Sequence, residues 1–443
     1  MDQVLMQLAL SRAGFSSLDA FLREKRLSDG VAEVALSPYL YGYELVRIQK
    51  GDSLNTIASR YGTSMQAILT ANPGLEPENL TIGRILVMPL GFPVVPEDVP
   101  MSYGLMELVI RGLEARYPAL RERVLGRTVY GRRIIQLRIG QGERSVYYNA
   151  AHHANEWITA PLVLSCLERL LEAASRGKQI MGIEARQLLE DATLYLVPMV
   201  NPDGVDLVTG AASPEQQSAA RKIADGYPEI PFPSGWKANL CGVDLNLNYP
   251  ARWDEAREIK AELGFISPAP RDYVGPEPLS EQESRAMFDS TETIDPALTI
   301  AWHTQGKEIY WKFLDLEPEG ARALGEQMAI ASGYRLEEIP YASSFGGYKD
   351  WFIQDFDQPG YTIEAGEGEN PLPISQLPEM IRDNLPIFLL GLTGGAASSA
   401  LQTAGMISLP VRYETEEKAL ENDGRPAGPK PLPPGDGVEM AWG

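Results

Sequence analysis

The sequence predicts an α/β protein: a mixed, mainly parallel sheet with helices on both faces, preceded by a small βααβ module. Short apolar runs at 134–139, 145–150, 193–199, 298–301 and 361–363 read as buried strands. Long helical stretches at 160–175 and 280–292 lie between them, the alternation expected of a sheet covered on both faces. Ahead of these, two short helical patterns are enclosed by alternating runs at 43–48 and 85–88.

Each segment has its own signals. Residues 1–42 form a helical extension: Val4, Leu5, Leu8, Ala9 and Leu10 have helical spacing up to Gly14, and a second run from Leu18 to Leu27 comes after Ser16-Ser17. In the module at 43–90, Gly51-Asp52 makes a turn and Ser53 caps a helix carrying Leu54, Ile57 and Ala58. Gly62 stops that helix, Thr63-Ser64 starts one carrying Ile68, and Asn72-Pro73-Gly74 breaks the chain before the second strand. Residues 91–102, with Pro93, Pro96 and Pro100, read as a linker. The α/β pattern fills 103–395. Ser280-Glu281-Gln282-Glu283 reads as a capping box, with Ser280 capping and Glu283 reaching back. The tail 396–443 turns Gly/Ala/Ser-rich, then Pro-rich, and is expected to be disordered.

Composition excludes several functions. The 443 residues include 39 Lys plus Arg and 60 Asp plus Glu, a net charge of −21. Nucleic-acid binding needs a basic surface, so it is not expected. Two cysteines, Cys166 and Cys241, make no disulfide framework and read as free thiols. No run of 18 apolar residues predicts a membrane span. The start, Met1-Asp2-Gln3-Val4, lacks a basic region before an apolar one, so a cytoplasmic location is expected, with release at sporulation or lysis as a second route out of the cell.

The chain has three histidines, His152, His153 and His303. The first two come after a strand ending near Ala150, and His303 comes after the strand in "LTIAWH". In open α/β sheets, ligands bind at such strand ends. His153 and Glu156, three apart, can grip one ion in a turn. With His303 they complete the two-imidazole, one-carboxylate set of a catalytic zinc site.

The module at 43–90 resembles the LysM domain through Gly51-Asp52-Ser53-Leu54, Ile57-Ala58, Tyr61-Gly62, Ile68, Ala71-Asn72-Pro73 and Ile82-Gly83. That resemblance implies binding to N-acetylglucosamine-containing glycan, as in peptidoglycan. "VLMQLALSRAGF" and "VALSPYLYGY" faintly resemble a shortened helical peptidoglycan-binding domain; a packing extension of the next module is the other reading. Downstream, His153-x-x-Glu156, Asn201-Pro202-Asp203-Gly204, Gly242-Val243-Asp244-Leu245-Asn246-Leu247-Asn248, His303 and Tyr361-Thr362-Ile363-Glu364 occur in the order of the zinc carboxypeptidase family. This resemblance implies a single Zn²⁺ on His153, Glu156 and His303, the HxxE register selecting His153 over His152. It implies Glu364 as catalytic base and Asp244 as the acid behind the first histidine ligand. Lys237 stands where many relatives place an oxyanion-stabilising arginine, although a solvated surface lysine is the other reading. Tyr341 matches a mobile active-site tyrosine, and Asn246 a substrate-binding asparagine.

One departure is decisive. The family's Asn-Arg-Asn is here Asn246-Leu247-Asn248. Leucine cannot make the bidentate contact by which that arginine holds a terminal carboxylate. A LysM module joined to such a peptidase resembles the bacterial γ-D-glutamyl-meso-diaminopimelate peptidases, which cut peptidoglycan stem peptides. An ordinary metallocarboxypeptidase, and a silent peptidase fold serving as a glycan-binding protein, are the alternatives.

Overall fold

The computed structural model describes residues 3–395; the tail expected to be disordered lies outside the described residues. Strand β1 (Tyr43–Arg47) pairs antiparallel with β2 (Ile85–Pro89) around two short helices, Leu54–Arg60 and Met65–Ala71. Ser53 and Ser64 cap these helices. Ser53 Oγ accepts from Thr56 N–H while Thr56 Oγ1 accepts from Ser53 N–H, so two otherwise orphaned donors are satisfied reciprocally. Asn72 then ties the second helix to β2, donating to Ile68 O and Val87 O and accepting from Val87 N–H. Ile57, Ile68, Leu86 and Met88 form the centre of a separate small core.

The larger unit is built on eight strands. They are β3 (Arg121–Arg127), β4 (Arg133–Gly140), β5 (Arg144–Ala150), β8 (Ala192–Val197), β9 (Leu298–His303), β10 (Glu308–Tyr310), β11 (Arg335–Glu337) and β12 (Gly360–Glu364). A two-residue hairpin, β6 (Gln179–Ile180) with β7 (Ile183–Glu184), stands apart. The order is β11-β10-β12-β9-β5-β8-β4-β3, with β12, β9, β5 and β8 mutually parallel. Every residue of β9 and β12 is buried, as befits central parallel strands. Along β5, Val146 and Tyr148 enter one core while Tyr147 enters another on the opposite face. Helices Thr159–Ser175 and Leu377–Thr393 cover the first face; Gln282–Ile294 and Tyr348–Phe356 cover the second.

Three strands of the eight-stranded sheet, and the small β6–β7 hairpin, escaped the sequence pattern. β3, "RERVLGR", is a charged edge with little buried surface, and β10 and β11 have only three residues each. The expected capping box does not form. The residue before helix Gln282–Ile294 is Glu281, with no side-chain cap. Ser280 Oγ instead accepts from Asn248 Nδ2 and donates to Glu281 Oε1. Glu283 is turned into the protein, where burial pushes its carboxyl up to about 8.

The N-terminal extension comprises helices Gln3–Arg12, Leu18–Lys25 and Ala32–Tyr41. Their Leu8, Phe21, Leu36 and Leu40 join the same core as Val109 and Leu113 of helix Tyr103–Arg116. Gly112 permits this approach: a Cβ there would lie 2.1 Å from Tyr41 O. Residues 91–102 connect the modules without hanging free. Val94, Val95 and Met101 are buried, and the Glu168 carboxylate accepts from both Val94 and Val95 N–H. Arg116 donates to Gly42 O, Leu90 O and Phe92 O, and Arg12 to Val94 O. Among the described residues no helix is long and apolar enough to cross a membrane, and both cysteines are free.

This shared core yields a testable contrast. Leu36→Ala should destabilise the large unit by about 2–5 kcal/mol, the range for emptying a core leucine site. Ile68→Ala should leave that unit's unfolding midpoint in place, because Ile68 belongs to the separate small core. Denaturant unfolding monitored by tryptophan fluorescence distinguishes the two effects, since all the described tryptophans lie in the large unit.

Candidate active site

The carboxyl ends of three neighbouring parallel strands converge. His153 lies three residues beyond β5, His303 ends β9, and Glu364 ends β12. His303 and Glu364 are direct register partners. The loop carrying His153 is anchored by Asn201, whose amide donates to His152 O and Ala238 O. Its Oδ1 caps the next helix by accepting from Gly204 N–H.

His153 Nδ1 lies 2.9 Å from Glu156 Oε1, and His303 Nδ1 lies 2.9 Å from Glu156 Oε2. The two Nδ1 atoms are only 3.2 Å apart. All three side chains are buried. Two ring nitrogens and a carboxylate thus face one another away from water, the donor set that a single dication satisfies. His152 is turned away: its Nε2 lies 3.0 Å from Tyr249 OH.

Second contacts fix this set. Asp244 Oδ1 lies 3.1 Å from His153 Nε2, which orients the ring and leaves Nδ1 for an ion. Asp244 Oδ2 accepts from Asp272 N–H, while Asp272 pairs with Lys260 and Arg271. Burial works against the charged His153 ring, yet the carboxylates of Glu156 and Asp244 outweigh it and push it up to about 9. Glu156 is held well below the usual carboxylate range: burial opposes ionisation, but His153 and His303 prevail. Glu364 is pushed up to about 8 by burial and by the negative charge of Glu156. Its Oε2 is buried without a hydrogen-bond partner among the described residues. A cation beside Glu156 opposes both causes of that rise.

A cleft of about 940 Å³, counted to its open mouth, adjoins the cluster. Lys237, Asp244, Asn246, Leu247 and Glu364 line it with His153. Lys237 Nζ is 3.8 Å from Glu156 Oε1 and buried, not a solvated surface lysine. Asn246 Oδ1 accepts from Tyr348 N–H, so this asparagine also sets the start of helix Tyr348–Phe356. Tyr341 stands apart from the cleft wall. It is 65% exposed, with its ring edge-on to Phe345.

The sequence reading missed Lys260, Asp272, Lys349 and Asp350, all buried cleft residues. Lys349-Asp350 had a legible signal. In "YKDWFI" apolar residues surround the pair, and every residue from 348 to 353 is buried. A helix turn with no exposed side leaves two opposite charges nowhere to go except toward each other or a ligand. Lys260 lies in an ordinary amphipathic helix and gave no such signal.

Comparison with known proteins agrees with this geometry. Residues 106–387 match the zinc carboxypeptidase family, and residues 46–89 match the LysM domain. The chain belongs to the zinc carboxypeptidase family and is a zinc metallopeptidase. It is 42% identical over 291 residues to gamma-D-glutamyl-L-diamino acid endopeptidase 1 of Lysinibacillus sphaericus, covering 66% of this chain and 72% of that one. It is 38% identical over 264 residues to an uncharacterised protein of Bacillus subtilis (strain 168), covering 59% of this chain and 68% of that one. Carboxypeptidase A of Helicoverpa armigera has the same fold, with a TM-score of 0.52 at 19% identity over 86% of this chain and 85% of that one.

Metal binding can be tested by substitution. His303→Ala should leave dialysed protein without zinc. Asp244→Asn should keep the fold but weaken zinc affinity about 10–100-fold, the usual effect of losing a ligand's supporting acid. Metal analysis after titration with a competing chelator measures both, and full zinc in the His303 variant would overturn its assignment.

Proposed function

We propose that the chain hydrolyses the γ-D-glutamyl bond to the diamino acid in peptidoglycan stem peptides, with its LysM module holding wall glycan. The observation that carries this is Leu247. It lines the cleft where the family pattern has arginine, and no described residue lining the cleft is an arginine. A terminal carboxylate there would lack its bidentate partner. The similarity to an endopeptidase named for γ-D-glutamyl-L-diamino acid substrates supports the same reading.

His153, Glu156 and His303 would hold the zinc, which supplies Lewis-acid polarisation of the scissile carbonyl and eases deprotonation of water. Glu364 takes the proton from the attacking water and passes it to the leaving amine; its unpartnered Oε2 suits it to both. Asp244 holds His153 in one tautomer. Lys237 brings a fixed positive charge to the cleft wall, close to where negative charge develops on the carbonyl oxygen. In a γ-linked D-glutamate the α-carboxylate beside the scissile bond is free, and Lys237 can face it as well. Asn246 lies on the same wall for substrate contact. Tyr341, on the rim, reaches substrate only by moving inward.

Glu364→Gln keeps the shape but cannot take a proton. Turnover should fall by about 10² or more with zinc retained. The substrate is tested by comparing kcat/KM for L-Ala-γ-D-Glu-diaminopimelate with that for blocked dipeptides ending in Phe, Leu, Lys or Arg, with mass spectrometry of products. The γ-glutamyl peptide should be cut faster. Faster release from the blocked dipeptides would make the protein an ordinary metallocarboxypeptidase. Leu247→Arg should shift the ratio toward C-terminal trimming.

A further inference from the structure

The far wall of the cleft is occupied by charge. Lys349 and Asp350 open helix Tyr348–Phe356 and form an ion pair with side chains only 2% and 4% exposed. Both line the cleft that contains Glu364. Burying two charges is costly, and a pair of well-packed apolar residues often serves stability as well or better. Lys349 Nζ also donates to Lys312 O at 2.6 Å. An ammonium carries three N–H donors, and these are the two partners it has among the described residues. Asp350 Oδ1 has no hydrogen-bond partner among the described residues beyond that ion pair. The pair therefore retains one donor and acceptor capacity beside an open cleft.

Its position suits a substrate side chain. Gly360, Thr362 and Glu364 share one face of β12, and Thr362 and Glu364 both line the cleft. The Lys349 stem lies against Gly360, where a Cβ would sit 3.3 Å from Lys349 Cγ. The cleft thus follows β12 from Glu364 to Thr362, two residues or about 7 Å at the usual strand rise, with Lys349 and Asp350 on its wall. A diamino acid on the leaving side of the scissile bond would extend its side chain along this wall.

The geometry points to Lys349 and Asp350 as the receptor for the far, zwitterionic end of diaminopimelate, the feature that separates this diamino acid from lysine. This inference rests on the γ-glutamyl reading of the substrate. The distal carboxylate meets Lys349 and the distal ammonium meets Asp350, giving four alternating charges with no net charge buried. A lysine side chain supplies only the ammonium. It brings no carboxylate to the third Lys349 donor and deposits an uncompensated positive charge. An amidated distal carboxylate loses the same contact.

The test uses the full zinc-loaded chain and three peptides: L-Ala-γ-D-Glu joined to meso-diaminopimelate, to diaminopimelate amidated at its distal carboxylate, and to L-lysine. The unmodified protein should prefer the first by about 10² or more in kcat/KM, because a buried polar site rejects an analogue lacking its partner. Lys349→Met should erase the gap between the acid and its amide. Asp350→Asn should lower cleavage of every peptide bearing a distal amine. Rates within about threefold for all three peptides on the unmodified protein would overturn the inference, and that comparison stands whether or not the variants fold. A preference for the acid that survives Lys349→Met would overturn it too. Cleavage of blocked dipeptides with none of the γ-glutamyl peptides would instead overturn the γ-glutamyl reading, and this inference with it.

Discussion

The structure depends on the parallel register of β5, β9 and β12. Parallel strands put like ends together, so the residues just beyond their carboxyl ends gather at one edge of the sheet. His153, His303 and Glu364 together span more than two hundred residues of chain, yet the pairing of β9 with β12 sets His303 directly beside Glu364. A slip of one residue in β12 would turn Glu364 toward the opposite face. The burial of both strands on both faces resists such a slip. The core that holds the fold therefore also sets the spacing of the chemistry.

Around that edge, charge is arranged in buried pairs. Asp244 is held by His153 and by the backbone of Asp272, and Asp272 is in turn neutralised by Lys260 and Arg271. Glu364 and Glu283 each keep one buried carboxylate oxygen without a hydrogen-bond partner among the described residues. Both are pushed up to about 8, chiefly by burial. Glu364 faces the cleft, where an unsatisfied carboxylate is useful.

Much of this was legible because it is local. Central strands announced themselves as apolar runs, and the Ser53 and Ser64 caps came from short-range backbone chemistry. The histidines were so few that their places after strands carried weight. The hidden parts depend on long-range pairing. β10 and β11 are too short to have a period. Glu283 offered a capping pattern that tertiary packing overrode when Asn248 engaged Ser280. Lys260 and Asp272 form their pair only because a helix and a loop meet at the cleft. The shared core of the N-terminal helices and helix Tyr103–Arg116 likewise required knowledge of which apolar faces touch.

The stretch between the small module and the peptidase is held fast along its length. Arg116, Arg12 and Glu168 grip the backbone from residue 90 to 95, and Gln66 of the small module reaches Ser175 O. A loose tether would let the catalytic unit sweep a volume around its anchor, and every bond within that radius would be sampled. A clamped one replaces the sweep with a fixed offset. Under the proposed function, glycan seated on the small module would present to the cleft only those peptides that branch at a matching distance and angle. The clamp would then work as a ruler along the sugar strand, and it would leave short, unattached peptides unaffected.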